Sequence, residues 1–264
     1  ADCIRAQNDI AGASVGDDLA RIGYRGAHPC GAVPGGMFAA YFEAHIEQGP
    51  VLEAQSLPIG IVTGALGQQW YDVTVTGMDA HAGPTPMALR HDALLAAARM
   101  VEAVNRIALS EAPHGRGTVG YLQVLPNSRN VIPGQVQFSV DFRNLSQDGL
   151  DRMDAALRAA LAQIAGATQV QVDVVQVVKY EPCLFDAHCV ASVRHAAERL
   201  QLPHMDVVSG AGHDAVYVNG VAPTGMIFVP CKDGISHNEI EDALPEHIAA
   251  GANVLLLAML ERAQ

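Results

Sequence analysis

The chain has 264 residues, half of them apolar, which is enough to bury a sizeable core in one large domain or two small ones and argues against disorder. Sixteen Lys and Arg stand against 28 Asp and Glu, a formal net charge of −12 with no basic cluster. That balance argues against a nucleic-acid or anionic-membrane surface and for a small-molecule partner. The longest apolar runs, such as Ala252–Leu260, fall well short of the roughly 20 residues a bilayer crossing needs. Residues 1–20 carry no basic stretch followed by an apolar core, so no targeting to a membrane is expected. Five scattered cysteines (Cys3, Cys30, Cys183, Cys189, Cys231) include no CxxC pair and read as the reduced thiols of a cytoplasmic protein. The eleven histidines are the notable excess, because imidazole is both a common metal ligand and a common acid/base group.

In chain order, a short helix is predicted over Val15–Ile22, followed by a Pro/Gly-punctuated loop to Gly36. Met37–Ile46 reads as a buried strand or helix stopped by Gln48-Gly49-Pro50. From Gln69 to Thr76 the pattern is period two, with Tyr71, Val73 and Val75 on one face. Leu94, Ala97, Val101, Val104 and Ala108 then recur at helical spacing over Asp92–Leu109, with Asp92 available as N-cap. Strands are predicted at Thr118–Leu125, Gln135–Phe142 and Gln169–Val178, with an amphipathic helix over Asp148–Ala165. Strand, helix, strand, strand, helix, strand is the order of a ferredoxin-like α+β sandwich over residues 68–180. Beyond it come a helix (Asp186–Leu200), a strand (His204–Val208), a polar turn with a short helix (Gly210–Val218), a strand (Thr224–Val229) and a terminal helix (Pro245–Arg262). Alternating strands and helices there suggest part of a parallel α/β sheet, with a site beyond the strands' carboxyl ends. Residues 1–67 and 181–264 would then form one α/β domain interrupted by the sandwich.

Five segments gather polar groups in apolar surroundings: Glu43–Pro50, Asp79–Pro86, Asn130–Pro133 with Asp141–Arg143, Ser209–Asp214 and Gly234–Glu239. Four of them contain a histidine. Taken singly, each is more often a core or turn residue than a ligand, and no HExxH or zinc-finger spacing certifies a metal.

Taken in order, FEAHIEQGP, DAHAGPTPM followed by Arg90 and Asp92-Ala93-Leu94, NVIPG, DFR, GAGHDA and GISHNE resemble the metal-dependent amidohydrolases that include N-carbamoyl-L-amino-acid hydrolase, β-ureidopropionase and allantoate amidohydrolase. The resemblance implies a catalytic α/β domain with an inserted ferredoxin-like lid that also dimerises. It implies that His45 and His237 each bind one of two divalent ions, zinc, manganese or cobalt, which hold and activate a water. Gln48 and His213 would meet the substrate, and Arg143 with Asn130 would grip its carboxylate, a planar fork matching a carboxylate in a way Lys does not. His81 would reach the partner subunit's site in a homodimer and stabilise the oxyanion there. Glu47 and Glu239 are left as ordinary surface or supporting carboxylates.

The rest of that family's metal site, an HxD motif and a Glu-Glu pair, is absent from Ala1–Gln264, and the first residue is Ala. The chain is therefore expected to be part of a longer enzyme and inactive alone. The resemblance implies hydrolysis of the carbamoyl C–N bond of an N-carbamoyl-L-amino acid. Allantoate amidohydrolase and β-ureidopropionase share every motif quoted, and a noncatalytic dimerisation or ligand-binding module is the alternative from another class.

Overall fold

The computed structural model describes residues 14–26 and 38–263. Cys3, Cys30 and most of the loop expected before Gly36 lie outside them, while Cys183, Cys189 and Cys231 are free thiols. In chain order the elements are α1 (Val15–Arg21), β1 (Tyr41–Ile46), α2 (Val51–Ala54), β2 (Ile59–Ala65), β3 (Gly67–Thr76), β4 (Ala80–His81) and α3 (Ala93–Ser110). There follow β5 (Arg116–Thr118), β6 (Leu122–Leu125), β7 (Val131–Ile132), β8 (Gln135–Asn144), α4 (Gln147–Thr168) and β9 (Gln171–Tyr180). The last set is β10 (Cys183–Leu184), α5 (Ala187–Arg199), β11 (His204–Ser209), α6 (Asp214–Val218), β12 (Thr224–Val229) and α7 (Pro245–Arg262).

Two larger sheets carry separate cores. In the first, β1 pairs with β12, β12 with β2, and β2 with both β10 and β11. Helices α5 and α7 pack on it and on each other, closing a core of Leu52, Ile59, Ile61, Val193, Met226, Phe228 and Val254. Alternating strands and helices predict a parallel sheet, whereas the sheet in the structure is mixed. β1 and β12 are parallel, as are β11 and β2, but β12 and β2 run antiparallel. The reversal comes from β2, a strand with no alternation to mark it in the sequence.

The second sheet has the order β5-β8-β3-β9, with β6 also on β8. That places the first long strand between the third and the last, the order of a βαββαβ sandwich. Its alternation is what the sequence predicts: Tyr71, Val73 and Val75 of β3 and Val136, Phe138, Val140 and Phe142 of β8 face α3 and α4. Each large side chain buried there contributes roughly 1.5–3 kcal/mol. Asp92 caps α3 by accepting from the Leu94 and Leu95 amides, and Ser146 caps α4 by accepting from Gly149.

Several boundaries move. The single strand expected over Thr118–Leu125 is two, because the chain leaves β8 between Thr118 and Leu122 before rejoining it. The helix expected at Asp148–Ala165 runs from Gln147 to Thr168 and ends where Gln169 turns left-handed (φ 54°), which also delays the start of β9 to Gln171.

Candidate active site

A cleft of about 670 Å³ lies between the two sheets. One wall is built from the ends of the first sheet's strands: Glu47 and Gln48 after β1, Leu66 after β2, Gly210 and Ala211 after β11, and Ser236 and His237 beyond β12. The other wall is the open face of the second sheet and the turn leading to it: His114, Arg116, Thr118, Asp141 and Arg143.

Gln48 and His237 both hold left-handed backbone conformations, φ 56° and 55°. Non-glycine residues rarely adopt them, and the strain of about 1–3 kcal/mol each persists only where neighbours enforce it. Here the neighbours are visible: Gln48 Nε2 donates to Ser236 Oγ at 2.8 Å, and the His237 amide donates to Glu241 at 3.0 Å. The first bond clamps together loops 188 residues apart in sequence. Glu47 is turned away from the cleft chemistry, its two oxygens accepting from the Val51 and Leu52 amides at the start of α2, and burial raises its pKa.

Arg143 sits at the end of β8. Its Nε and Nη2 form a fork with Asp141, the closest approach being 2.7 Å, and Nη1 donates to the Gly210 carbonyl at 2.6 Å. Both side chains of the ion pair remain partly exposed, 28% and 29%. A guanidinium has five N–H donors. One on Nη1 and one on Nη2 therefore remain for a ligand carboxylate.

Behind the cleft wall, His45 and His213 meet edge to face with ring centroids 4.8 Å apart. His45 stands near the end of β1 with Nδ1 on the Ile46 carbonyl at 2.8 Å, which leaves Nε2 available. His213 precedes α6, and its side chain is buried rather than lining the cleft. Its Nε2 lies 2.6 Å from Ser209 Oγ and its Nδ1 3.9 Å from Glu43, whose other oxygen accepts from the Ala215 amide at 2.7 Å. Burial, then the neighbouring His45, pushes the His213 pKa down to about 4, so the imidazole is neutral at neutral pH.

Of the residues singled out from sequence, the structure brings Gln48, Arg143 and His237 to one cleft and places His45 and His213 beside it. It does not bring Asn130 or His81 there. Both are exposed on a separate two-stranded ribbon in which β4 pairs with β7, with His81 opposite Val131. Asn130 Oδ1 accepts from Ser128, and His81 Nδ1 accepts from the Gly83 amide at 3.0 Å. His114, Arg116 and Thr118 carry no signal in the sequence, since the β5–β8 pairing brings Arg116 and Thr118 to the cleft and His114 lies in the turn before β5. Ser209 and Glu43 are likewise unmarked as partners of His213, although both lie inside polar segments of the sequence.

Among the described residues, no group of three or more His, Cys, Asp or Glu is arranged to hold a metal ion. His45 and His237 offer one imidazole each, so these residues alone do not fit a two-metal centre. No helix of the described residues is long and apolar enough to cross a membrane.

Comparison with known proteins gives this geometry a lineage. The chain is 47% identical over 259 residues to an N-carbamoyl-L-amino-acid amidohydrolase of Rhizobium meliloti, covering 98% of this chain and 62% of that protein. It is 35% identical over 226 residues to a ureidoglycolate hydrolase of Arabidopsis thaliana, covering 85% of this chain and 48% of that one. A crystal structure of an amidase of the hydantoinase/carbamoylase family from Burkholderia multivorans superposes with a TM-score of 0.93 at 57% identity, over 99% of this chain and 63% of that one. The chain thus spans less than two thirds of the length of these relatives. The family model for Peptidase family M20/M25/M40 matches residues 19–261, and the chain belongs to that family.

Proposed function

We propose that the whole protein hydrolyses the carbamoyl C–N bond of an N-carbamoyl-L-amino acid, releasing the amino acid, ammonia and carbon dioxide with water as nucleophile. The observation that carries this reading is the cleft itself. A guanidinium with one N–H left on each of Nη1 and Nη2 stands on one wall, and Gln48 and His237 stand on the other. A ureido acid presents a carboxylate at one end and an amide-like group at the other, and a cleft with those two walls would hold both. The relative from Rhizobium meliloti, named an N-carbamoyl-L-amino-acid amidohydrolase, supports the substrate class. The relative from Arabidopsis thaliana, named a ureidoglycolate hydrolase, supports a second reading in which a different ureido acid occupies the same cleft.

Members of the family are generally dinuclear metal enzymes. In this reading His45 and His237 are the chain's two contributions to such a centre, which needs ligands that the described residues do not supply. His213 stays neutral and buried beside His45, orienting the pocket floor rather than carrying charge. Residues 68–180 act as a lid and dimerisation domain, and the protein works as a homodimer in the cytoplasm.

The experiment is ammonia release from N-carbamoyl-L-methionine by the whole protein and its Arg143→Lys variant. Lys keeps the charge but loses the fork, so kcat/KM should fall by about 2–3 kcal/mol, the scale of hydrogen bonds to charged groups. An unchanged KM with a lowered melting temperature would make Arg143 structural. The 264-residue chain alone should release no ammonia, and a rate above a His237→Ala control would overturn that expectation.

A further inference from the structure

The second sheet places a second arginine directly across from the first. In the β5–β8 ladder Arg116 is the register partner of Arg143, and Thr118 is the partner of Asp141. Side chains of directly opposed residues share one face of a sheet, and all four of these line the cleft. Like charges facing each other across a ladder repel unless something between them is negative. Asp141 answers only one of the two, since its carboxylate is taken by Arg143.

Arg116 has no such partner. Its Nη1 donates to the Pro113 and Gly115 carbonyls at 2.7 and 3.0 Å, which fixes the guanidinium at the mouth of the cleft. Among the described residues it forms no ion pair, and three of its five N–H donors, on Nε and Nη2, remain unused. The cleft's other carboxylate, Glu47, is committed to the amides of α2. Arg116 is therefore the uncompensated cation of this cleft.

We infer that Arg116 is a specificity-determining residue for a second anionic group, so that the preferred substrate is a ureido dicarboxylate whose α-carboxylate meets Arg143 and whose side-chain carboxylate meets Arg116. The inference rests on the ureido-acid reading above and names its substrate class. The cleft of about 670 Å³ is large enough for a small dicarboxylate with room to spare. A dianion between the two arginines converts their repulsion into two charge-assisted contacts, one of which can be a planar fork.

The test is calorimetric binding to the whole protein of N-carbamoyl-L-aspartate against N-carbamoyl-L-asparagine, its neutral isostere, alongside ammonia release from both. The aspartate compound should bind at least about tenfold more tightly, the scale of a hydrogen bond to a charged group, and Arg116→Met should bring that ratio below about threefold. Arg116→Gln, which keeps a polar side chain and loses the charge, should do the same, so a misfolded Met variant does not decide the matter. No preference in the wild type, or a preference that survives in both variants, overturns the inference. Tight, Arg116-dependent binding of the aspartate compound without ammonia release from either would instead overturn the hydrolase reading while leaving the recognition site standing.

Discussion

Among single residues, the buried pair of Ser209 and His213 shows how the site's geometry is held. The serine hydroxyl sits 2.6 Å from the imidazole Nε2 and also meets the Ala211 amide and carbonyl, fixing the turn and the ring together. Ser209→Ala would leave a buried ring nitrogen without a partner, and we expect a loss of about 1–3 kcal/mol in urea unfolding. A loss under about 0.5 kcal/mol would show that the ring finds water instead. Asp186 offers a pH-dependent counterpart at the start of α5. Its carboxylate accepts from the Cys189 and His188 amides, and those bonds, the one to Cys189 foremost, lower its pKa. A carboxylate whose folded pKa lies below its unfolded value stabilises fully above the unfolded pKa and loses that stability as pH falls through the folded one. Stability of the wild type should therefore fall between about pH 5 and pH 2.5 by more than that of Asp186→Asn, which keeps a cap acceptor but does not titrate there. Parallel curves would mean the cap charge contributes nothing. Such residues differ in how far sequence exposes them. Asp92 announces itself by position before a periodic run. Arg116 does not, because its meaning lies in which residue stands opposite it on β8.

At the level of elements, the long alternating runs and amphipathic helices were legible because burial on one face writes a period into the sequence. The terminal helix Pro245–Arg262 has the bounds its pattern predicts, with Pro in its first turn. β2 was not legible, and its environment explains why. It is the hub of the first sheet, pairing with β10, β11 and β12, so it is buried along nearly its whole length and shows no alternation. It also carries Gly60 and Gly64, which read as turn signals in isolation. Gly64 is required by packing rather than by conformation: a Cβ there would overlap the Cys183 carbonyl of β10. Gly64→Ala should cost about 1–3 kcal/mol in stability, since backbone rather than a flexible side chain stands in the way. An unchanged melting temperature would mean that β10 detaches freely. Edge assignment was equally out of reach. Both β3 and β9 are long enough to need covering, but β3 lies between β8 and β9, so of these two strands β9 is the one at an edge of the sheet, with Val175 and Val177 each 50% exposed.

For the whole molecule, the chain passes from one sheet to the other at two adjacent places, Leu66 between β2 and β3 and Glu181-Pro182 between β9 and β10. The cleft therefore has walls on two separately cored sheets, tied across by the bond from Arg143 to Gly210. The ribbon bearing His81 and Asn130 leaves the second sheet elsewhere and contributes nothing to the lining of this cleft. In the proposed homodimer, His81, exposed and outside its own subunit's cleft, would act by entering the partner's cleft, the arrangement the family resemblance implies. That separation makes a complementation experiment decisive. In the whole protein, a His81→Ala homodimer would have intact clefts and no entering histidine, while a His237→Ala homodimer would have entering histidines and two defective clefts. Both should be inactive. A mixed dimer holds one cleft with His237 facing a partner that still carries His81, so co-expressed subunits should recover up to half the wild-type rate per mixed dimer, read as ammonia release after mixed dimers are isolated by differential tags and verified by mass. Recovery requires that the two residues act across the two-fold axis of a closed dimer. If isolated mixed dimers are no more active than either homodimer, His81 serves its own subunit or none, and the ribbon's role is structural.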